Sequence, residues 1–238
     1  MSASAIWVYL AASPLLGLTL TLLAYLGASV VHQRCGGHPL ANPVLLAVAA
    51  LVGLLWLTDT PWHTYFDGAQ FVHFLLGPAT VALAIPLHAQ LPRLRRMAVP
   101  LLLALLVGSL TAALSAVAIG ALLGASRATL LSLAPKSVTT PIAMGIAERI
   151  GGLPSLTAVL VILTGVLGAI LARYIYRALH IDDDAQRGFA LGIAAHGIGT
   201  ARAFQESEQM GAFAALAMGL NGLLTAVLLP LLLPLLLA

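Results

Sequence analysis

The stretch "LAPKSVTTPIAMGIAE", residues 133–148, carries the only lysine, Lys136, of a 238-residue chain that is 61% hydrophobic and 8% charged. Soluble domains carry about 25% charged residues, so this lysine belongs to a different solvent. Mean hydropathy is +1.03. Apolar runs long enough to cross about 30 Å of hydrocarbon, which takes roughly 20 residues, recur from end to end with hardly any loop between them. The chain therefore reads as one integral-membrane domain over 1–238. The runs are continuous and rich in Leu and Ala, whereas barrel strands would alternate in polarity, so the fold class is all-α, a polytopic membrane helix bundle.

Pro135 and Pro141 flank the lysine. Each removes an amide donor and biases the residue before it away from helix, so a continuous helix through both is not expected. Unwound backbone at membrane depth is tolerated only when buried in protein or lining a wet cavity. Working outward and breaking at charges and at Pro/Gly clusters gives seven to eight hydrophobic segments, near 6–31, 43–58, 68–91, 98–124, 128–147, 154–177, 186–205 and 210–237. The first begins after "MSASA", has no positive n-region and outlasts a signal-peptide core, so a retained helix is expected.

Arginines supply the orientation, because cytoplasmic loops retain Lys and Arg. "QLPRLRRMA" (Arg93, Arg95, Arg96) marks the cytoplasm, and Arg34 lies an even number of crossings away. "LTDTPWHTYFDG", with Asp59 and Asp67 and no basic residue, falls outside. "ARYIYRALHIDDDAQR" (Arg173, Arg177, Arg187) should also be cytoplasmic, yet three segments separate it from Arg96. The charge rule is restored if the "PKSVTTP" segment does not cross completely. A Pro-kinked full span with a weak charge bias is the other reading.

An offset of 57 residues aligns "GPATVALAIP" with "APKSVTTPIA", bringing Pro78 opposite Pro135, and Gly108 opposite Gly165 in the next segments. The repeat units would be 68–124 and 128–177. Chance similarity in Leu/Ala-rich sequence looks the same, and both readings stand. Paired Pro-interrupted segments point to a substrate site in secondary transporters.

Lys136 and Arg202 fall at membrane depth with no mid-span Asp or Glu to meet them, which leaves an opening for an exogenous anion. Ser137, Thr139 and Thr140 put hydroxyls beside the ammonium, and a half-helix starting after Pro141 would aim its positive end at the same place. In "AAHGIGTARAF", Gly197 and Gly199 permit a break or close backbone approach, while His196, Thr200 and Arg202 supply donors. Asn221 either touches the anion or joins helices through hydrogen bonds. The expected substrate-binding set is Lys136, Ser137, Thr139, Thr140, His196, Gly197, Gly199, Thr200, Arg202 and Asn221, with Pro78, Pro135 and Pro141 as helix breaks. Cys35 is alone and the histidines lack ligand spacing, so no metal site is expected. "GIGTA" has no βαβ unit around it and is not a dinucleotide fingerprint. No nucleophile, base and orienter set suggests an enzyme, and no cofactor or nucleic-acid partner is implied.

Five motifs in order, "FLLGPATVALAIPL", "LAPKSVTTPIA", "GGLPSLTAVLVILTGVLGAI", "RGFALGIAAHGIGTARAFQE" and "GAFAALAMGLNGLLTAVLLPLL", resemble the LrgB/CidB family of bacterial membrane proteins, also represented in the C-terminal part of the plant plastid glycolate/glycerate translocator. The resemblance implies a multi-pass protein of the bacterial cytoplasmic (inner) membrane. It implies either control of murein hydrolase activity and autolysis with a small holin-like LrgA/CidA-type partner, or carriage of small monocarboxylates of the pyruvate, glycolate and glycerate class. Where many relatives have an acidic residue soon after "TTPIA", this chain has Met144 and Gly145 before Glu148, and no role is carried onto those positions. Expected partners are thus a small carboxylate anion, the lipid bilayer and an LrgA/CidA-type protein, with homo-oligomerisation left open.

Overall fold

A computed structural model describes residues 14–37 and 41–236. The expected start of the first segment at Ile6 lies outside the described residues. The chain divides after Ala82 into two compact units.

In the first unit, α1 (Pro14–Arg34), α2 (Pro43–Leu57), α3 (Trp62–Phe74) and α4 (Leu76–Ala82) are helical. Asn42 caps α2, its Oδ1 accepting from the amides of Val44 and Leu45 at 2.9 and 3.2 Å. Gly17 lets α1 meet α3 closely, since a Cβ there would fall 2.4 Å from the Tyr65 carbonyl oxygen. The segment expected as one run over 68–91 is broken at Leu75, and again at Leu83, where the second unit begins. Pro78 and Pro86 account for both breaks. Neither can bond back to the carbonyl four residues earlier, at Phe74 and Ala82, and these are the last helical residues before each break.

The second unit contains α5 (Ala84–Ala89), α6 (Leu91–Arg96), α7 (Ala98–Leu122), α8 (Arg127–Leu133), α9 (Thr140–Ile150), α10 (Pro154–Ala178), α11 (Asp184–Glu206) and α12 (Glu208–Leu236). Five helical stretches among the described residues are long and apolar enough to cross a membrane, and α7, α10 and α12 supply three of them. The protein is a helical membrane bundle.

Two elements between these spans turn back instead of crossing. Had α8 and α9 run on as one span, the 11 residues of α9 alone would carry Leu153 about 16 Å past the break. Instead the Leu153 amide donates to Ser132 Oγ at 2.7 Å, Thr157 Oγ1 donates to the Ser132 carbonyl at 3.1 Å, and a Cβ on Gly152 would lie 3.0 Å from the Ser132 nitrogen. The chain from Arg127 to Ile150 is a re-entrant hairpin whose tip is the non-helical stretch 134–139.

Over α11 a straight helix of 23 residues would measure about 34 Å. Yet Ser207, the residue after it, donates from Oγ to Asp184 Oδ2 at 2.6 Å. The fold-back is at His196, whose φ of 42° and ψ of −131° are not helical. Close packing of the two arms follows, with a Cβ on Gly199 falling 2.9 Å from the Leu191 carbonyl oxygen.

Arg93, on α6, bonds to Asp183 just before α11, so the Arg93–Arg96 cluster and the 179–183 loop with its flanking arginines lie at one end of the unit. Only α7 and α10 traverse the bundle between them, an even count that agrees with the arginine distribution. The hairpins accordingly enter from opposite ends. The first starts where α7 ends, and the second starts at the arginine end. Small residues seat the second hairpin on its neighbours: added Cβ atoms on Gly188 and Gly192 would fall 2.1 and 2.2 Å from the carbonyl oxygens of Met210 and Ala214 on α12. In lipid, where apolar burial gives helices little reason to associate, such backbone approach is a main source of packing energy.

Candidate functional site at two hairpin tips

The first tip is built by its prolines. Pro135 follows the last turn of α8, and Pro141 occupies the second position of α9, where the missing amide costs no helical bond. Thr139 is the N-cap, with an extended backbone (φ −62°, ψ 147°) and no side-chain capping bond. First-turn amides of α9 therefore keep no intrahelical acceptor, and the helix end carries partial positive charge. Lys136 Nζ donates to Ser137 Oγ at 3.2 Å. None of the three ion pairs among the described residues involves Lys136.

At the second tip, the buried His196 donates from Nε2 to the Val161 carbonyl at 2.9 Å, which requires the proton on Nε2. Thr200 Oγ1 donates to the His196 carbonyl at 2.8 Å, stitching the start of the second arm. Gly165 on α10 clears the space, since a Cβ there would lie 2.8 Å from His196 Cε1. The two tips come together at Asn221, whose amide nitrogen reaches the carbonyls of Ser137 in the first and Ile193 beside the second.

Asn221, 1% exposed and at the middle of α12, binds both hairpins. Its Nδ2 donates to the carbonyls of Ser137 and Ile193, each at 3.1 Å, and its Oδ1 accepts from Thr225 Oγ1 at 3.3 Å. Thr225 in turn lies 3.2 Å from Ser109 Oγ on α7. Two carbonyls demand the amide nitrogen and a hydroxyl meets the oxygen, so the polar atoms of Asn221 are engaged by the protein. Of the two expectations for this residue, helix joining is the one its bonds describe.

Lys136, Ser137, Thr139, Thr140, His196, Gly197, Gly199, Thr200 and Asn221 thus belong to the tips or their immediate support. Arg202 does not. It lies further down the second arm, where it pairs with Glu206 one turn on and donates to Gln205 Oε1 at 3.1 Å. A carboxylate at a segment end reached back by one helical turn, so the expectation of two cations without an acidic partner is corrected to one. The break in α11 is likewise at His196 itself and not at Gly197 or Gly199, which remain helical. Pro78 opens α4 in the first unit. Ser132, Val161, Gly165 and Thr157 were not singled out for these roles. Only the Pro154 helix start beside "GG" hints that the first hairpin closes there.

A family model described as the LrgB-like family matches residues 21–235. The chain belongs to the LrgB-like family. It is 42% identical over 219 residues to YwbG of Bacillus subtilis (strain 168), covering 92% of this chain and 97% of that one. YxaC of the same organism is 35% identical over 205 residues, covering 86% and 89%. A Bacillus cereus (strain B4264) protein named antiholin-like protein LrgB is 29% identical over 222 residues, covering 93% and 96%. No solved structure matches the chain.

Proposed function

We propose that this LrgB-family protein carries small monocarboxylates, of the pyruvate, glycolate and glycerate class, across the membrane through a site between the two hairpin tips. The observation that carries the reading is the Lys136 ammonium at the first tip, without a carboxylate partner among the described residues and beside the N-terminal end of α9. An unpaired cation at membrane depth is costly, and a visiting anion offsets that cost. The hydroxyls of Ser137, Thr139 and Thr140 and the free amides of α9 bind the carboxylate oxygens. His196 and Thr200 wall the opposite side, and Asn221 holds the tips in register. Hairpins that enter from opposite ends supply two gates around one site, the arrangement alternating access needs. With Arg202 committed to Glu206, a single site cation suits a monoanion.

Labelled pyruvate uptake into liposomes tests the proposal. Saturable uptake by the unaltered chain that falls to the protein-free level in Lys136→Ala supports it. Equal uptake in Lys136→Ala sinks the site.

The name of the Bacillus cereus relative favours a second reading, an antiholin-like regulator of murein hydrolase activity acting with an LrgA-type partner in the bacterial inner membrane. That reading predicts tolerance of Lys136→Ala in an autolysis assay, and partner capture that does not depend on carboxylates.

A further inference from the structure

A polar concavity lies at the arginine end of the same unit, away from the hairpin tips. It is a basin of about 510 Å³ lined by Arg173, Tyr176, Arg177, His180, Asp182, Arg187 and Glu206. Arg173 and Arg177 stand one turn apart on the last turns of α10 and share a face, an unfavourable placement of like charges without a counter-ion. Neither takes part in the ion pairs found among the described residues. Arg187 approaches from the first turn of α11. Its guanidinium lies over the Tyr176 ring at 5.4 Å, and its NH1 donates to Asp184 Oδ1 at 3.3 Å. Its Nε is buried with no acceptor, an uncommon state for so strong a donor. Of the two lining carboxylates, Glu206 is already engaged by Arg202, which leaves Asp182 as the one opposing charge.

We propose that this basin binds a phosphate group, either of an anionic lipid headgroup or of a soluble phosphate. Guanidiniums from two helices, two of them outside the ion pairs found among the described residues, suit a tetrahedral multi-oxygen anion better than a planar carboxylate, which one arginine satisfies. The end of a membrane span is also where headgroup phosphates lie. The ligand would bridge the end of α10 to the base of the second hairpin, where Asp184, Ser207 and Glu206 meet. This assignment does not depend on the carrier reading.

The test uses the full chain in nanodiscs. One arm titrates inorganic phosphate by calorimetry into phosphatidylcholine discs. The other counts phosphatidylglycerol retained by native mass spectrometry from mixed discs. Binding in either arm, weakened about tenfold by Arg173→Gln/Arg177→Gln and tightened by Asp182→Asn, supports the site. The arm that responds identifies the source. Unliganded unfolding temperatures of the variants should match the unaltered chain, since all three side chains are exposed. No binding in either arm overturns the proposal. So does binding indifferent to all three substitutions, or pyruvate binding here as tightly as phosphate.

Discussion

Replacing His196 by Gly and by Ala should give stabilities in the reverse of the order a helix interior gives. Both variants lose the same ring, the same bond to the Val161 carbonyl and the same packing against Gly165, so their difference isolates the backbone. In a continuous helix Gly is less stable than Ala by about 0.8–1.0 kcal/mol. At φ 42° and ψ −131° a residue with a Cβ is strained by roughly 1–3 kcal/mol, which Gly escapes. Setting that relief against the extra chain entropy of Gly, about 0.5–1 kcal/mol, leaves His196→Gly more stable than His196→Ala by around 1 kcal/mol, within a span of about 0–2.5. The two cases differ by about 2 kcal/mol and in sign. Thermal unfolding of both variants in one detergent reads the order. Finding His196→Ala the more stable would refute the fold-back at this residue, and with it the second hairpin.

Asn221→Leu removes three buried bonds while filling similar volume; at about 0.6 kcal/mol each in membrane bundles, and up to roughly 1–3 for an orphaned carbonyl, the loss should be near 2–4 kcal/mol. Hydrogen exchange should quicken at both tips together, around 137–139 and 193–196, and a change confined to α12 would contradict the clamp. Gly192→Ala places a Cβ 2.2 Å from the Ala214 carbonyl and should force α11 from α12, seen as loss of a monodisperse peak on size exclusion, whereas Gly219→Ala, with no neighbour near its Cβ, should elute unchanged. Burial alone would raise the Asp183 carboxyl, but the Gln186 amide and the Arg93 guanidinium outweigh it and hold it below the ordinary 3.8. Its folded value is depressed, so its contribution is present above 3.8 and is lost as pH falls through the lower folded value. Asp183→Asn should flatten the acid limb of a stability-against-pH curve, by a small amount because the pair is about a third exposed.

Much of this architecture is legible in residue order. Prolines break helices for a local reason, so Pro135 and Pro141 located the first tip, and the arginine count pointed to one segment that does not cross, against the other reading of a Pro-kinked full span. The second tip is different in kind. His196 takes a positive φ although Gly197 and Gly199 stand beside it, because the turn is set by what the ring reaches, the Val161 carbonyl 35 residues away. Tertiary bonds of that sort leave no mark in local composition. The partner of Arg202 was within reach of helical spacing, since Glu206 lies at i+4. Looking only for a mid-span Asp or Glu missed how far one turn extends. The tie between Arg93 and Asp183 joins two loops that the charge rule placed on one side, but whose contact depends on α7 and α10 having equal length, 25 residues each.

The most direct test of the central claim is accessibility at the first tip. With the free, exposed Cys35 changed to Ala, a cysteine replacing Thr139 can be labelled by a small impermeant thiosulfonate added from either side of sealed vesicles. A carboxylate site between two gates predicts labelling from both sides and slowing of both by pyruvate. Labelling from one side only, at a rate pyruvate leaves unchanged, would contradict it.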